Sequence, residues 1–456
     1  MSTILISVMA GYGHVNALLS TAHELNKEGH KVLWHCSPKF KNKIEKTGSI
    51  FIPFKNTFDW VDNYSRHKKD RINLKDIKAV NKFGENMLMD PIQGQVKDYQ
   101  NINRKYPLNL IITDIGSLGA EVFHEMGGPR WASVGVIPTR TYESPLFNSQ
   151  SPFPQTYFGR LRNRILNWFA CKLGLHLMTK RFNQIRNSLT LPSIPFYKSW
   201  YDYWKSPYLH LMTTTPKFAA PYPRWPRSYH FGGPFLAPNS LNSTTPRWIN
   251  HIKHSRPIIY VTQGTVATNE DALIKPTIKA VQDLDVSLIV TTPYPNRLGK
   301  TLKNVKVEKL VPHSQLLPYV DIMITNGGYN GVKEALSKGT NLILAGQTED
   351  KAEVASRIKN LKLGLNLNTS FPSSQLLKKA ILELLSNPGY TKRVNEVKKE
   401  FASYNTSKIV SSLVNRLLAK KEKTSKKANL DPSNTKIDTV SSQSPQIKTS
   451  SFAKKK

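Results

Sequence analysis

The amino-acid sequence predicts an α/β protein built from two Rossmann-like, doubly wound domains that face a central cleft. Three features lead there. Strand and helix patterns alternate in two series along the chain, and a stretch rich in Pro, Ser and Asn (GGPFLAPNSLNSTTPR, from Gly232) separates them. The second series also holds a glycine-rich turn between a strand and a helix. At 456 residues the chain exceeds one ordinary core, so two domains are expected.

The first series opens with TILISVMA from Thr3, an apolar run of strand type. These residues lack the basic start of a signal peptide and run straight into a patterned helix, His14 to Gly29, closed by glycine. KVLWHC and SIFIPF follow as second and third strands. After a long polar helical stretch, LNLIITD and RWASVGVI give two more, with a helix from Ser117 to Met126 between them. That order implies a parallel sheet with helices on both faces. The second series runs PIIYVTQGT, VSLIVTT, VKVEKLV, DIMIT and NLILAG. Two such domains joined by one linker put a ligand between them. The expected boundaries are residues 1–233, a linker at 234–256, and 257–405. Thr406 to Lys420 is a last helix, and 421–456, a basic tail with almost no apolar content, is expected to be disordered.

Lysine and arginine total 65 against 31 acidic residues, a formal charge of +34. Such an excess attracts phosphate-rich surfaces, whether anionic lipid or nucleic acid. Equally, basic residues scattered from Lys39 to the C-terminus saturate solvated faces. No dedicated nucleic-acid module stands out. Cys36 and Cys171 are too few for a disulfide framework and have no accompanying metal-ligand cluster, so a reducing, cytoplasmic setting is expected. No apolar run approaches the roughly 18 residues that span a bilayer, which points to a soluble protein, peripheral at most.

The span from Tyr157 to Leu191 interleaves Arg160, Arg162, Arg164, Lys172, Lys180, Arg181 and Arg186 with Ile165, Leu166, Trp168, Phe169, Leu173, Leu177 and Phe182. A basic helix of this kind can lie in an anionic membrane interface. More often its apolar stripe packs on its own domain, and that is the expectation here. The stretch KSWYDYWKSPY adds aromatics suited to a flat apolar pocket or to core.

The most informative segment is Leu310 to Glu353. DIMIT is a strand, Asn326-Gly327-Gly328-Tyr329-Asn330-Gly331 a turn, and Val332 to Ser337 opens a helix that Gly339 ends. A turn of this type lets backbone approach a ligand closely and aims free N–H groups and the positive dipole end at an anion. A diphosphate suits it. Glu334, about one turn into the helix, is placed to accept hydrogen bonds from ribose hydroxyls. Gln347 to Lys351 (QTEDK) follows the next strand at the carboxyl edge, where open α/β sheets bind ligands.

This segment resembles the donor-sugar signature of the UDP-glycosyltransferases, especially the bacterial macrolide-type branch. The resemblance extends to about residue 415. It implies the GT-B fold, with the acceptor in the N-terminal half, the donor in the C-terminal half, and the final helix packed back across the interface. It further implies diphosphate contacts from Asn326, Gly328, Asn330 and Gly331, with Gly327 in the same donor turn. Glu334 would hold ribose, Asp350 and Lys351 would face the sugar hydroxyls, and Val311 would offer backbone to uracil. Gln263-Gly264-Thr265 resembles the family's loop near the diphosphate, and His313 falls in the neighbourhood of the nucleobase. Three positions depart from the plant-type pattern: Asn326 stands for His, Lys351 for Gln and Leu310 for Trp. Asn still donates a neutral hydrogen bond. The departures therefore bear on sugar identity and donor affinity.

Gly11-Tyr12-Gly13-His14 looks like a dinucleotide loop, yet Asn16 stands where the third glycine belongs and the second strand ends at His35-Cys36 without a ribose-binding acid. This argues against a nicotinamide enzyme. Sugar transfer with inversion needs a base for the acceptor hydroxyl, and His suits that role. His14 lies at one strand's carboxyl end and Asp114 at another's. A carboxylate on one imidazole nitrogen fixes the tautomer and stabilises the imidazolium. Taken alone, His14 is an acceptable first-turn residue and Asp114 a cap for the helix near Ser117. In the family that the chain resembles, His and Asp at these positions form the catalytic dyad. No Asp-x-Asp pair stands where a metal-bound donor would want it, so metal independence is expected, with no cofactor beyond the UDP-sugar co-substrate.

The expected activity is inverting transfer of a hexose from a UDP-sugar to a hydroxyl of a small lipophilic acceptor of sterol, polyketide or phenolic type. One alternative moves the same chemistry to a membrane lipid, with the basic surface docking on anionic lipid. Another is a basic nucleic-acid-binding protein.

Overall fold

The structure is a computed structural model that describes residues 1–59, 77–146, 151, 153–236, 246–252, 255–264, 269–299, 302–348 and 350–429. Its frame is two parallel sheets. The first contains β1 (Thr3–Ser7), β2 (Lys31–Cys36), β3 (Ile50–Pro53), β4 (Leu110–Asp114), β5 (Arg130–Gly135), β6 (His210–Met212) and β7 (Tyr229–Phe231), in the order β3-β2-β1-β4-β5-β6-β7. The second contains β8 (Ile258–Thr262), β9 (Ser287–Thr291), β10 (Val305–Glu308), β11 (Ile322–Thr325), β12 (Asn341–Leu344) and β13 (Gly364–Asn366), in the order β10-β9-β8-β11-β12-β13. Helices cover both faces of each sheet. The central strands β4 and β8 are buried at every residue, which is why they read as unbroken apolar runs.

The strand order of each sheet reverses once, between β1 and β4 and between β8 and β11. At such a switch point the connections leave in opposite directions and open a crevice at the carboxyl ends. The helix Tyr12–Lys27 follows β1 and presents Val15, Leu18, Leu19, Ala22 and Leu25 to the sheet, the stripe of a period of 3.6 residues. Full burial of each leucine stabilises by about 1.5–3 kcal/mol. Tyr329–Lys338 follows β11 the same way, burying Tyr329, Val332, Ala335 and Leu336, and ends at Gly339, whose φ of 89° is the left-handed cap conformation.

The last helix, Thr406–Asn429, returns to the first domain, where Val410, Leu413, Val414 and Leu417 join the core formed by β1 and the Tyr12–Lys27 helix. It runs beyond Lys420, so the expectation of disorder from 421 fails for its first residues: the chain continues the helical turn set by the packed residues before it. Residues 430–456, the rest of that expectation, and residues 237–245 and 253–254 of the linker lie outside the described residues.

Smaller differences are local. The first helix begins at Tyr12, two residues before the periodic stripe, and the helix expected from Ser117 is confined to Gly119–Glu125. β6, β7 and β13 escape the sequence pattern because three residues are too few to display a period.

One difference is larger. The Tyr157–Leu191 segment forms two helices, Tyr157–Phe169 and His176–Ser188. The second packs Met178, Phe182 and Ile185 inward. The first does the reverse of the expectation: Asn163 is its buried residue, while Leu161, Ile165, Leu166, Trp168 and Phe169 are exposed. Its inner contacts are hydrogen bonds. Asn163 Nδ2 donates to the Glu143 carbonyl (3.3 Å), and Asn167 Nδ2 donates to those of Tyr142 (2.9 Å) and Ser144 (2.7 Å).

Candidate active site

The loops leaving both switch points meet. On the first sheet, β1 and β4 are paired neighbours, and the turn after β1 leads directly into the helix that carries His14. His14 Nδ1 donates to Asp114 Oδ2. Asp114, with a fully buried carboxylate, also accepts from the backbone N–H of Met9 (3.2 Å) and of Gly116 (2.9 Å). Asp114 does not cap the following helix, which has no side-chain cap. With Nδ1 protonated against the carboxylate, Nε2 is the basic nitrogen. His14 keeps a quarter of its side chain accessible. Burial works against its charged form, but the charge and hydrogen bond of Asp114, with the more distant charge of Asp350, outweigh it and raise the pKa.

A second His–Asp pair is different. His35 and Asp98 (3.1 Å) are almost wholly buried; burial drives His35 towards its neutral form despite Asp98, and the carboxylate gathers the backbone N–H groups of Lys55, Asn56 and Thr57. That pair holds a loop.

On the second sheet, Gly264 and Asn326 follow the neighbouring strands β8 and β11. Asn326 Nδ2 donates to the Gln263 carbonyl (2.7 Å), tying the two loops together. Gly327 has φ of 88°, a conformation that favours glycine. Gly328 begins the Tyr329–Lys338 helix without a side-chain cap, which leaves the first-turn N–H groups of Tyr329, Asn330 and Gly331 for a ligand. Glu334 Oε2 accepts from His313 Nδ1 (2.6 Å), and Tyr260 OH lies 3.2 Å from His313 Nε2. Val311 is buried in the domain core, while the neighbouring Leu310 is largely exposed. Asp350 begins the Lys351–Asn360 helix, and Lys351 Nζ reaches Thr348 Oγ1 (3.3 Å). Thr265 lies outside the described residues.

The two halves are connected through the site itself. Asn330 Nδ2 donates to the carbonyl of Gly13 (2.8 Å), the residue before His14. Lys333 Nζ, one residue before Glu334, donates to the Thr213 carbonyl and hydroxyl (both 2.9 Å) while fully buried. Burial pushes its pKa down to about 7, against the partly compensating charges of Glu334 and Asp350. Arg140 pairs with Glu353 (2.5 Å), which also holds Arg357 (2.8 Å). The sequence reading missed Lys333. Its signal was a lysine four residues after Tyr329 on the apolar stripe, and its amine does lie 4.5 Å from that ring centroid.

Beside Asp114 a recess is lined by Met9, Phe54, Phe58, Met87, Pro91 and Gln95, among others, and it is nearly filled, with about 10 Å³ free. That is room for one water. Among the described residues there is no group of three or more His, Cys, Asp or Glu able to hold a metal, and no helix long and apolar enough to cross a membrane.

Comparison with known proteins places the chain among sugar-transferring enzymes. Residues 275–417 match the family model described as erythromycin biosynthesis protein CIII-like, C-terminal domain. The chain is 29% identical over 407 residues to 4'-demethylrebeccamycin synthase of Lentzea aerocolonigenes, covering 88% of this chain and 96% of that one. It is 26% identical to UDP-glycosyltransferase 2 of Phaeomoniella chlamydospora, covering 91% and 96%. The chain belongs to the UDP-glycosyltransferase family. It is an enzyme of the sugar-transferring type. A solved structure of the glycosyltransferase of kitacinnamycin superposes with a TM-score of 0.71 at 19% identity, covering 91% of this chain and 99% of that one, which identifies the GT-B fold of this UDP-glycosyltransferase.

Proposed function

We propose that this UDP-glycosyltransferase transfers a hexose with inversion from a nucleoside-diphosphate sugar to a hydroxyl of a small lipophilic acceptor, without a metal. The observation that carries the proposal is the His14–Asp114 pair facing an uncapped helix start across one cleft. Neutral His14 takes the acceptor hydroxyl proton at Nε2 as the oxygen attacks the anomeric carbon. Asp114 holds the tautomer and stabilises the imidazolium that forms. The carbon–oxygen bond to the diphosphate breaks on the opposite side, and the N–H groups at 329–331 meet the charge that grows there.

The donor residues divide into two kinds under this reading. Asn326 and Asn330 each commit one amide N–H to a backbone carbonyl, of Gln263 and of Gly13. We therefore assign the diphosphate mainly to backbone N–H groups around Gly328 and Gly331, with the asparagines setting the turn. Glu334 holds ribose, with His313 orienting its carboxylate; Asp350 and Lys351 face the sugar, and Val311 offers backbone to the base. The acceptor enters beside Met9 and Met87, whose flexible thioethers have to swing aside to open the recess.

Incubation with a panel of UDP- and dTDP-hexoses, with and without polyketide, sterol and phenolic alcohols, tests this by nucleotide release. The expectation is acceptor-dependent release with at least one hexose donor, formation of the inverted glycoside, and no effect of a chelator. His14→Ala is expected to abolish transfer while donor binding persists. Release from none of the donors, a retained anomeric configuration, or near-normal transfer by His14→Ala overturns the proposal.

A further inference from the structure

We propose that the outward face of the Tyr157–Phe169 helix, together with Leu173 and Phe196, is a docking surface for an anionic phospholipid bilayer. The proposal is independent of the transferase mechanism. It starts from a helix whose amphipathicity is turned inside out. Asn163 and Asn167 occupy the side that meets the protein and bond the backbone of residues 142–144. Phe158, Leu161, Ile165 and Trp168 repeat at spacings of three and four along the opposite side, so they share one arc. Phe158 is 79% exposed, Leu173 69% and Phe196 92%.

The arc and the neighbouring loop form one surface. Lys172 Nζ donates to the carbonyls of Phe196 and Lys198, and Trp168 Nε1 reaches the Tyr197 carbonyl (3.4 Å). A contiguous apolar patch of this extent, held by polar contacts beneath it, marks an interaction site.

Charge selects the occupant. Between Glu143 and Asp202 the chain has no acidic residue and eight lysines and arginines; Arg160, Arg181 and Arg186 pair with Glu143, Asp90 and Glu125, while Arg162 and Arg164 stand exposed on the helix itself. A second copy of the chain would set these like charges against one another. Aromatic and aliphatic side chains ringed by basic ones match the interface of an anionic leaflet, where the rings sit at headgroup depth and each cation is attracted to the surface.

Vesicle flotation of the full chain tests this, comparing phosphatidylcholine alone with phosphatidylcholine containing about 30% phosphatidylserine, at about 0.1 and 0.5 M salt. The expected result is binding to the anionic vesicles at least tenfold above the neutral ones, weakened by salt. Phe158→Asp/Ile165→Asp/Phe169→Asp lowers anionic binding at least tenfold, and Arg162→Glu/Arg164→Glu lowers it severalfold. These side chains are on the surface, so the thermal midpoint stays within a few degrees. A triple variant that unfolds leaves the charge-reversal pair as the deciding measurement. Absence of binding to anionic vesicles overturns the proposal. So does binding that survives both sets of substitutions, because it then comes from elsewhere on the basic surface. Self-association or nucleic-acid binding lost in the triple variant, with vesicle binding unchanged, assigns the patch to another partner and also overturns it.

Discussion

Replacing Asp114 by Asn separates a catalytic His–Asp pair from a merely structural one. The substitution keeps the size of the side chain and removes its charge. In the native protein His14 Nδ1 donates to a carboxylate with a fully buried side chain, while His14 itself is a quarter exposed. Two unit charges in contact at an effective dielectric near 20 attract by about 4 kcal/mol, and partial access of solvent to His14 reduces that to about 2–4 kcal/mol. The imidazolium exists in the transition state and not in the resting base, so the whole loss falls on the barrier. At 1.36 kcal/mol per decade, kcat should fall roughly 30- to 1000-fold. The pH dependence supplies the signature. The pKa of His14 is raised, so the basic form is lost as pH falls through that raised value, and the acid limb of kcat/KM is shifted upward from the ordinary histidine value. Without the charge of Asp114, burial dominates and lowers the pKa; the limb then moves to lower pH while the plateau drops. Initial rates across a pH series, with donor affinity and thermal midpoint as folding controls, measure both. A variant that keeps a third of native kcat, or loses rate with an unmoved acid limb, refutes the reasoning.

The other expectations follow from contacts around the donor turn. Asn330→Ala removes the bond to Gly13, and at about 1 kcal/mol for a neutral hydrogen bond the donor KM should rise about fivefold, measured by initial rates, with a small change in thermal midpoint. Glu334→Ala should weaken donor binding about 10- to 100-fold by calorimetry, and Glu334→Gln less, because the amide still accepts from His313 and from a hydroxyl. Lys333→Met should change the pH dependence of stability: burial pushes the native pKa down to about 7 from the ordinary lysine value of about 10.4, so the unfolded chain binds the extra proton between those limits. The native protein therefore gains stability relative to the variant as pH rises from about 7 towards 10, by up to ~1.4 kcal/mol per unit, read as a widening difference in thermal midpoints.

The strands that form the two switch points were legible because they are long apolar runs between clear breakers. Gly339 was legible for a similar reason, since a glycine after a periodic stripe ends a helix at little conformational cost. His14 and Asp114 could be named because Asp114 ends β4 and His14 stands in the first turn of the helix that follows β1, and parallel pairing of β1 with β4 brings both to one edge. Their hydrogen bond, and the partners that fix Asp114, depend on loop geometry that strand patterns do not encode. Asn330 and Lys333 were opaque in another way. Each makes its decisive contact with the other domain, to Gly13 and to Thr213, at sequence separations of 317 and 120. The Tyr157–Phe169 helix misled for a physical reason: a hydrophobic stripe specifies that a face is apolar, and leaves open whether protein or lipid covers it.

The contacts that close the cleft also explain why its two halves should act together. Lys333, its pKa pushed down to about 7 by burial, donates to the Thr213 carbonyl and hydroxyl, so a buried amine links the donor helix to the first sheet. Three residues earlier on the same turn, Asn330 grips the carbonyl that precedes His14. Under the proposed mechanism, a shift of the 326–331 turn passes through Asn330 to the peptide that precedes His14. Three elements are thus linked: the uncapped N–H groups at 329–331, the Asn330 amide on Gly13, and the imidazole held by Asp114. Transfer needs the attacking oxygen and the departing diphosphate in line, and a link of this length restricts that alignment more tightly than two domains joined by their linker alone.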